Sequence, residues 1–205
     1  GGAASADLQA YLTLRGPDGR GVALTPGSIA LKDLAGLSNI PVTGPAKWDS
    51  EHPNLYTLTI ELKADGKLLE TVTQRVGFRQ VEVRGNQMFV NGVPVKLRGI
   101  CRHEADPLRG RSLAPGTWRK DAELFRAGNC NYIRTSHYPP AEEFLEACDE
   151  LGLFVECEGP FCWASQTKIT PAEVPDLITR QHLEMLEAYR NHPSITQWSL
   201  ANESG

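Results

Sequence analysis

The hydrophobic period changes once along this chain, near residue 95, and that change limits the fold more than any other feature. Before it, "YTLTIELK" alternates Tyr56, Leu58, Ile60 and Leu62 with Thr57, Thr59, Glu61 and Lys63, the period of a strand with one buried face. "ADGK" follows, with Asp65 and Gly66 suited to a tight turn, and "LLETVTQRVGF" returns. "MFVNGVPV" holds a second hairpin signal, because Asn91 and Gly92 supply the positive φ angles of a type I′ turn. "LQAYLTLRG" and "SIALKDL" add shorter strands set off by Gly, Pro and Asp. Short strands at this spacing predict an immunoglobulin-like β-sandwich over residues 1–82.

After the change the order is strand, helix, strand. "VKLRGICRHE" reads as a strand, and Thr117 is placed to cap a helix that carries Trp118, Ala122 and Phe125 on one face and stops at Gly128. "NYIRTSH" is the next strand. In "AEEFLEACDEL", Phe144, Leu145, Cys148 and Leu151 fall at helical spacing, with Glu142 and Glu143 in the first turn and Gly152 just past the end. "LFVECE" is a third strand. A polar loop leads to a third helix with the stripe Ile178, His182, Met185 and Tyr189, and "SITQWSLANE" is a fourth strand. Strands alternating with helices imply a parallel sheet, and residues 83–205 are expected to form the first half, strands 1 to 4, of a TIM (β/α)8 barrel.

Composition narrows the partners. The net charge of −4 comes with no basic run, which removes nucleic acid from view, and no apolar run approaches the ~20 residues of a membrane span. Five cysteines, odd in number and without C-x-x-C spacing, read as small buried hydrophobes in a reducing compartment rather than as a disulfide framework or zinc site. "GGAASADL" has no signal-peptide pattern and no initiator Met, so the native start is expected upstream, and cytoplasm and periplasm both stay open.

Each of the four strands is apolar or mixed along its body and polar at its C-terminal end. Those ends carry Arg102, His103 and Glu104; Arg134 and His137; Glu156 and Glu158; and Asn202 with Glu203. In a (β/α) barrel the C-terminal strand ends converge on the face that holds the active site. In the third strand Leu153, Val155 and Cys157 share one face and should meet the helices, which turns Glu156 and Glu158 inward, where they need partners. Parity places Asn202 and Glu203 on opposite faces, a conflict that a bulge or the end of the strand must resolve. His182, on an inward helical stripe, and His192, in a turn, read as structural.

The blocks "GICRHEADPLRGR", "NCNYIRTSHYPP", "EACDELGLFVECE" and "RNHPSITQWSLANESG" resemble, in order, glycoside hydrolase family 2, the β-galactosidase, β-glucuronidase and β-mannosidase group. "WDSEHPNLYTLTIEL" and "VGFRQVEV" are similar to that family's immunoglobulin-like domain and its junction with the barrel. The resemblance implies a retaining β-glycosidase, in which one carboxylic acid protonates the leaving oxygen and a second, ~5–5.5 Å away, attacks the anomeric carbon. It implies that Glu203 is the acid/base, with a pKa raised by burial near a second carboxylate, and that Asn202 bonds a sugar hydroxyl. His103 and His137 match sugar-contacting positions, Arg134 matches the arginine close to the nucleophile, and Glu158 joins them in the substrate site. Trp163 is either a stacking platform for the sugar or a loop anchor.

The resemblance further implies that the nucleophile belongs to a later strand, so the chain is expected to be a segment of a larger enzyme and inactive alone, with open edges on its first and fourth barrel strands. β-Galactosides are the expected substrates on the strength of "NESG", with β-glucuronides as the alternative from "YPPAEEFLEACDELG", and a non-catalytic carbohydrate-binding or assembly module as the competing class. The β-galactosidase type follows its third strand with a carboxylate and a histidine that hold magnesium. This chain has "GPFCWASQ" there, so no metal and no cofactor are expected. The partners expected are a β-linked carbohydrate and either the missing half of the barrel or a second copy.

Overall fold

The computed structural model describes residues 7–36, 39–163 and 174–204. The chain divides into two compact units, one of Gly1–Ala46 with Asn54–Phe78 and one of Lys47–Pro53 with Arg79–Gly205.

The first unit contains β1 (Leu8–Arg15), β2 (Gly21–Val22), β3 (Ser28–Ala30), β4 (Tyr56–Ala64) and β5 (Lys67–Val76). It is the immunoglobulin-like β-module that the alternation predicted, and its described strands lie in one five-stranded antiparallel sheet. β4 runs along the whole of one edge of β1, so β2 and β3 share the other edge. The β4–β5 turn works as "ADGK" implied, with Asp65 at φ 48° and Gly66 at φ 80°. "SIALKDL" departs from expectation: the strand stops at Ala30, and Leu31–Gly36 wind into a 3-10 helix where Lys32 and Asp33 break the alternation. Ala10, Leu14, Leu55 and Tyr56 are buried, and the Tyr56 ring meets Phe78 edge-on at 4.9 Å.

The second unit starts earlier than the expected boundary at 82/83. β6 (Val81–Arg84), β7 (Gln87–Val90) and β8 (Val93–Val95) form a separate three-stranded antiparallel sheet, so residues 79–82, expected as the end of the sandwich, open the next unit. Lys47–Pro53 also belongs here, although the sequence of "WDSEHP" reads with the sandwich. Its Trp48 is fully buried, sets its ring edge-on to Phe154 at 5.9 Å and donates through Nε1 to the Asp149 carbonyl at 2.8 Å. Ser50 Oγ donates to the Gly152 carbonyl at 2.7 Å.

Four strands then alternate with three helices: β9 (Gly99–Arg102), α1 (Thr117–Ala127), β10 (Tyr132–Thr135), α2 (Glu142–Leu151), β11 (Phe154–Glu158), α3 (Val174–Tyr189) and β12 (Ile195–Ser199). The strands are parallel in the order β12-β11-β10-β9, the partial (β/α) barrel that the sequence pattern predicted. The polar loop after Trp163 lies, over 164–173, outside the described residues. Thr117 is the first helical residue rather than the cap, since Gly116 takes the N-cap position at φ 84° without a side-chain bond. Gly152 closes α2 at φ 71°, as its position just past the stripe implied.

Ala122, Phe144, Leu145, Cys148, Val155 and Cys157 form the centre of the core between helices and sheet. Each buried Phe or Leu here contributes about 1.5–3 kcal/mol relative to exposure. This packing fixes the parity of β11: Val155 and Cys157 face the helices, so Glu156 and Glu158 face the other way. His192, in the turn before β12, reaches Asp149 Oδ2 at 2.6 Å with both side chains buried, and is structural as read.

Candidate active site

The parity of β11 forces a charged group into a dry place. Glu158 has no exposed surface, and a buried carboxylate is tolerated only where donors converge on it. Its neighbours supply them. Arg134, on β10, brings both Nε, at 2.6 Å, and Nη2 to Oε2, and Ser199 Oγ, at the end of β12, donates to the same oxygen at 2.9 Å. His137 Nδ1 lies 2.7 Å from Oε1, and the Glu158 N–H donates to Thr135 Oγ1 at 3.0 Å. Burial pushes the Glu158 carboxyl up, but the bonds from His137, Arg134 and Ser199 outweigh it and hold the group below the usual carboxylate range. An ionised carboxylate only accepts, so His137 carries its proton on Nδ1.

Arg134 has further work. Its Nη2 donates to Asn202 Oδ1 at 2.9 Å, while Asn202 Nδ2 points to Cys162 Sγ at 3.6 Å, so the amide is held from both ends. Asn202 is also bonded through its backbone: its N–H donates to the Phe161 carbonyl at 2.9 Å, and its carbonyl accepts from the Trp163 N–H at 3.0 Å. The parity conflict at Asn202 and Glu203 is resolved by the end of the strand, because β12 stops at Ser199 and Glu203 turns at φ 46°. Glu203 is exposed, not buried against a second carboxylate, and its Oε2 accepts from Trp163 Nε1 at 3.0 Å.

The seven residues named from sequence thus form one connected group. Asn202, Arg134, Glu158 and His137 are joined by hydrogen bonds, Trp163 bonds Glu203, and rings complete the rim. The His137 ring centroid lies 5.7 Å from that of Trp163 and 5.2 Å from that of the exposed His103. Glu158, expected among the substrate-binding residues, is fully buried and positions its neighbours instead.

Two strand-end residues face elsewhere. Arg102 is buried under the helices, with its guanidinium 4.1 Å from the centre of the Phe144 ring and bonded to Asp121 Oδ2 at 2.8 Å and Glu104 Oε1 at 3.0 Å. Glu104 Oε1 also accepts from Trp118 Nε1 and from the Ala141 N–H at the start of α2, each at 3.1 Å. Inside the sheet Tyr132 OH bonds Glu156 Oε2, and burial followed by that bond raises the phenol pKa. Ser199, Thr135 and Cys162 were not anticipated; Ser199 stands opposite Glu158 in the β11–β12 register, which sequence does not provide. Among the described residues, no three His, Cys, Asp or Glu side chains gather as a metal would require.

Two family models cover nearly the whole chain: glycosyl hydrolases family 2 over residues 1–79, and the TIM barrel domain of the same family over residues 81–205. This chain belongs to glycosyl hydrolase family 2. Within the family it is 39% identical to a β-galactosidase of Priestia megaterium over 80% of the chain and 17% of that protein. Among solved structures it resembles the Bifidobacterium dentium β-glucuronidase complexed with coumarin-3-O-glucuronide, at TM-score 0.85 and 26% identity, over 97% of the chain and 32% of that one. It also resembles the Ruminococcus gnavus β-glucuronidase in complex with uronic deoxynojirimycin, at TM-score 0.82 and 29% identity, over 97% of the chain and 33% of that one. This family-2 chain therefore spans about a sixth of the length of that curated relative and a third of these solved structures. The family models meet at residues 79 and 81, close to the structural boundary between Phe78 and Arg79.

Proposed function

We propose that this chain carries the proton-donor side of the active site of a retaining β-glycosidase, with Glu203 as the acid/base. The observation that carries this reading is the Arg134–Asn202 bond, which holds the residue before Glu203 to a buried ionic group at the C-terminal ends of parallel strands. Asn202 keeps a second amide hydrogen for a sugar hydroxyl, and His137 presents Nε2 as an acceptor because its proton is held at Nδ1.

Glu158, Glu156 and Glu104 are all engaged by cationic or hydroxyl donors, so none is free to attack an anomeric carbon. The nucleophile is then a carboxylate outside this group, and the 205-residue chain by itself does not turn over glycosides. β-Glucuronides are the favoured substrates in place of the β-galactosides expected from "NESG". The likeness to two solved β-glucuronidases across both units supports this, as does the absence of a carboxylate and histidine from "GPFCWASQ". β-Galactosides remain the second reading because the P. megaterium relative is a β-galactosidase.

Hydrolysis of p-nitrophenyl β-glucuronide, β-galactoside and β-mannoside by the full polypeptide that carries this sequence, beside the chain alone, is the test. The glucuronide should turn over fastest, and Glu203→Gln should lower kcat by at least ~100-fold, the scale of a general acid. Unchanged turnover in Glu203→Gln would remove that residue from the chemistry, and turnover by the chain alone would mean that one of the three engaged glutamates is the nucleophile.

A further inference from the structure

The indole of Trp163 touches the site through its N–H, not only through its face. Nε1 lies 3.0 Å from Glu203 Oε2, both side chains being exposed, and two further contacts hold the indole. The Trp163 backbone donates to the Asn202 carbonyl at 3.0 Å, so the two residues are tied through the main chain as well. The His137 ring, held by Glu158, stands edge-on to the indole at 5.7 Å and 70°. Both Trp163 and Glu203 sit at positive φ, 55° and 46°, a conformation that non-glycine residues adopt only where their surroundings impose it.

An indole N–H can only donate. The unprotonated oxygen of a carboxyl is its stronger acceptor, so the indole at Oε2 favours the form in which a protonated Glu203 carries its hydrogen on Oε1. We propose that Trp163 is a positioning residue for Glu203, assigning Oε2 as the acceptor oxygen and Oε1 as the one that delivers the proton. This rests on Glu203 being the acid/base.

In the step concerned, the Oε1–H bond breaks as an O–H bond forms on the glycosidic oxygen. The bond from the anomeric carbon to that oxygen breaks with its electron pair going to the oxygen, and the carboxylate nucleophile of the retaining mechanism takes the carbon. Glu203 is left as a carboxylate, and the indole keeps its proton while bonding the charge at Oε2. Sugar stacking, one of the two roles read from sequence, needs the ring but not the N–H.

Trp163→Phe keeps a ring and removes the donor. The measurement is kcat/KM of the full polypeptide on phenyl and dinitrophenyl glycosides of its sugar, because a phenolate departs poorly without a proton and a dinitrophenolate departs readily. Trp163→Phe should lower the phenyl value about tenfold more than the dinitrophenyl value, the lower end of what one hydrogen bond to a charged group supplies. Glu203→Gln should show the same selectivity more strongly. Equal losses on both substrates, or none, in Trp163→Phe while Glu203→Gln stays selective would overturn the positioning role and leave the acid/base reading standing. A Glu203→Gln enzyme with no leaving-group selectivity would overturn that reading and the inference with it.

Discussion

Glu158→Gln tests the buried centre of the site directly. The substitution keeps the shape and removes the charge that Arg134 and His137 both face. Removing one member of a buried ion pair costs about 3–5 kcal/mol, because the other charge is stranded. Arg134 keeps 25% of its side-chain surface and its bond to Asn202, so part of its hydration returns and the expected loss is near the lower end, about 3 kcal/mol. All four tryptophans, Trp48, Trp118, Trp163 and Trp198, lie in the second unit, so urea unfolding followed by tryptophan fluorescence reports on that unit. With a slope of roughly 1.5–2 kcal/mol/M, the midpoint should fall by about 1.5–2 M. The amide has a further consequence. With its oxygen turned to Arg134 and Ser199, its NH2 meets His137 Nδ1, which must then accept, and the ring proton moves to Nε2. Nitrogen-detected NMR of the histidine ring should report Nδ1–H in the parent and Nε2–H in Glu158→Gln. A midpoint shift under about 0.3 M, well below the expected cost of stranding Arg134, together with an unchanged tautomer, would refute the account.

The same carboxylate predicts an acid limb. A carboxyl lowered in the folded state stabilises the fold fully above its unfolded-state value of about 4.3, and that contribution disappears as pH falls through the folded value. The urea midpoint of the parent should therefore drop faster than that of Glu158→Gln below about pH 4, and parallel curves would contradict it. Gly159→Ala should destabilise by about 2–3 kcal/mol, since a Cβ there falls 2.2 Å from His182 Nε2 and the ring has little room to yield, with its two nitrogens 2.7 Å from the Ile178 and Leu200 carbonyl oxygens, respectively. Its urea midpoint is the check. Burial raises the Cys157 thiol to about 12 and the Cys148 thiol well above its usual range, so iodoacetamide under native conditions should label exposed Cys101 and spare those two, as mass spectrometry of the peptides would show.

Local pattern was readable where a single element decides it. The stripe Phe144, Leu145, Cys148 and Leu151 and the stop at Gly152 gave α2, and two-residue periodicity placed Val155 and Cys157 toward the helices and Glu158 away from them. What depended on distant pairing was not readable. Trp48 bonds a carbonyl 101 residues later, so nothing near it shows that it leaves the first unit. β6 begins at Val81, inside the range 1–82 expected for the sandwich, because alternation names a strand but not its partner. At the site, the residue types were legible and their orientations only partly so. β9 is four residues long, too short for parity to show that Arg102 turns to the helices while His103 reaches the rim.

The environments of Glu158 and Glu203 divide the work between them. Glu158 is enclosed, its two oxygens meet Arg134, His137 and Ser199, and its pKa is lowered, so it stays an anion through any proton exchange near neutral pH and serves as a fixed point of charge. Glu203 is exposed, and among the described residues its Oε1 has no partner while Oε2 has one. A carboxylate whose lone pairs are all engaged must break bonds before it can take up a proton, whereas one with an open oxygen can exchange at little cost. A locked carboxylate at the end of β11 and an open one just past the neighbouring strand β12 are the pairing that the proposed proton transfer calls for. The fixed charge holds Arg134, Arg134 holds Asn202, and Asn202 carries the next residue, Glu203, to the rim with Oε1 open, as the proposed acid/base role needs.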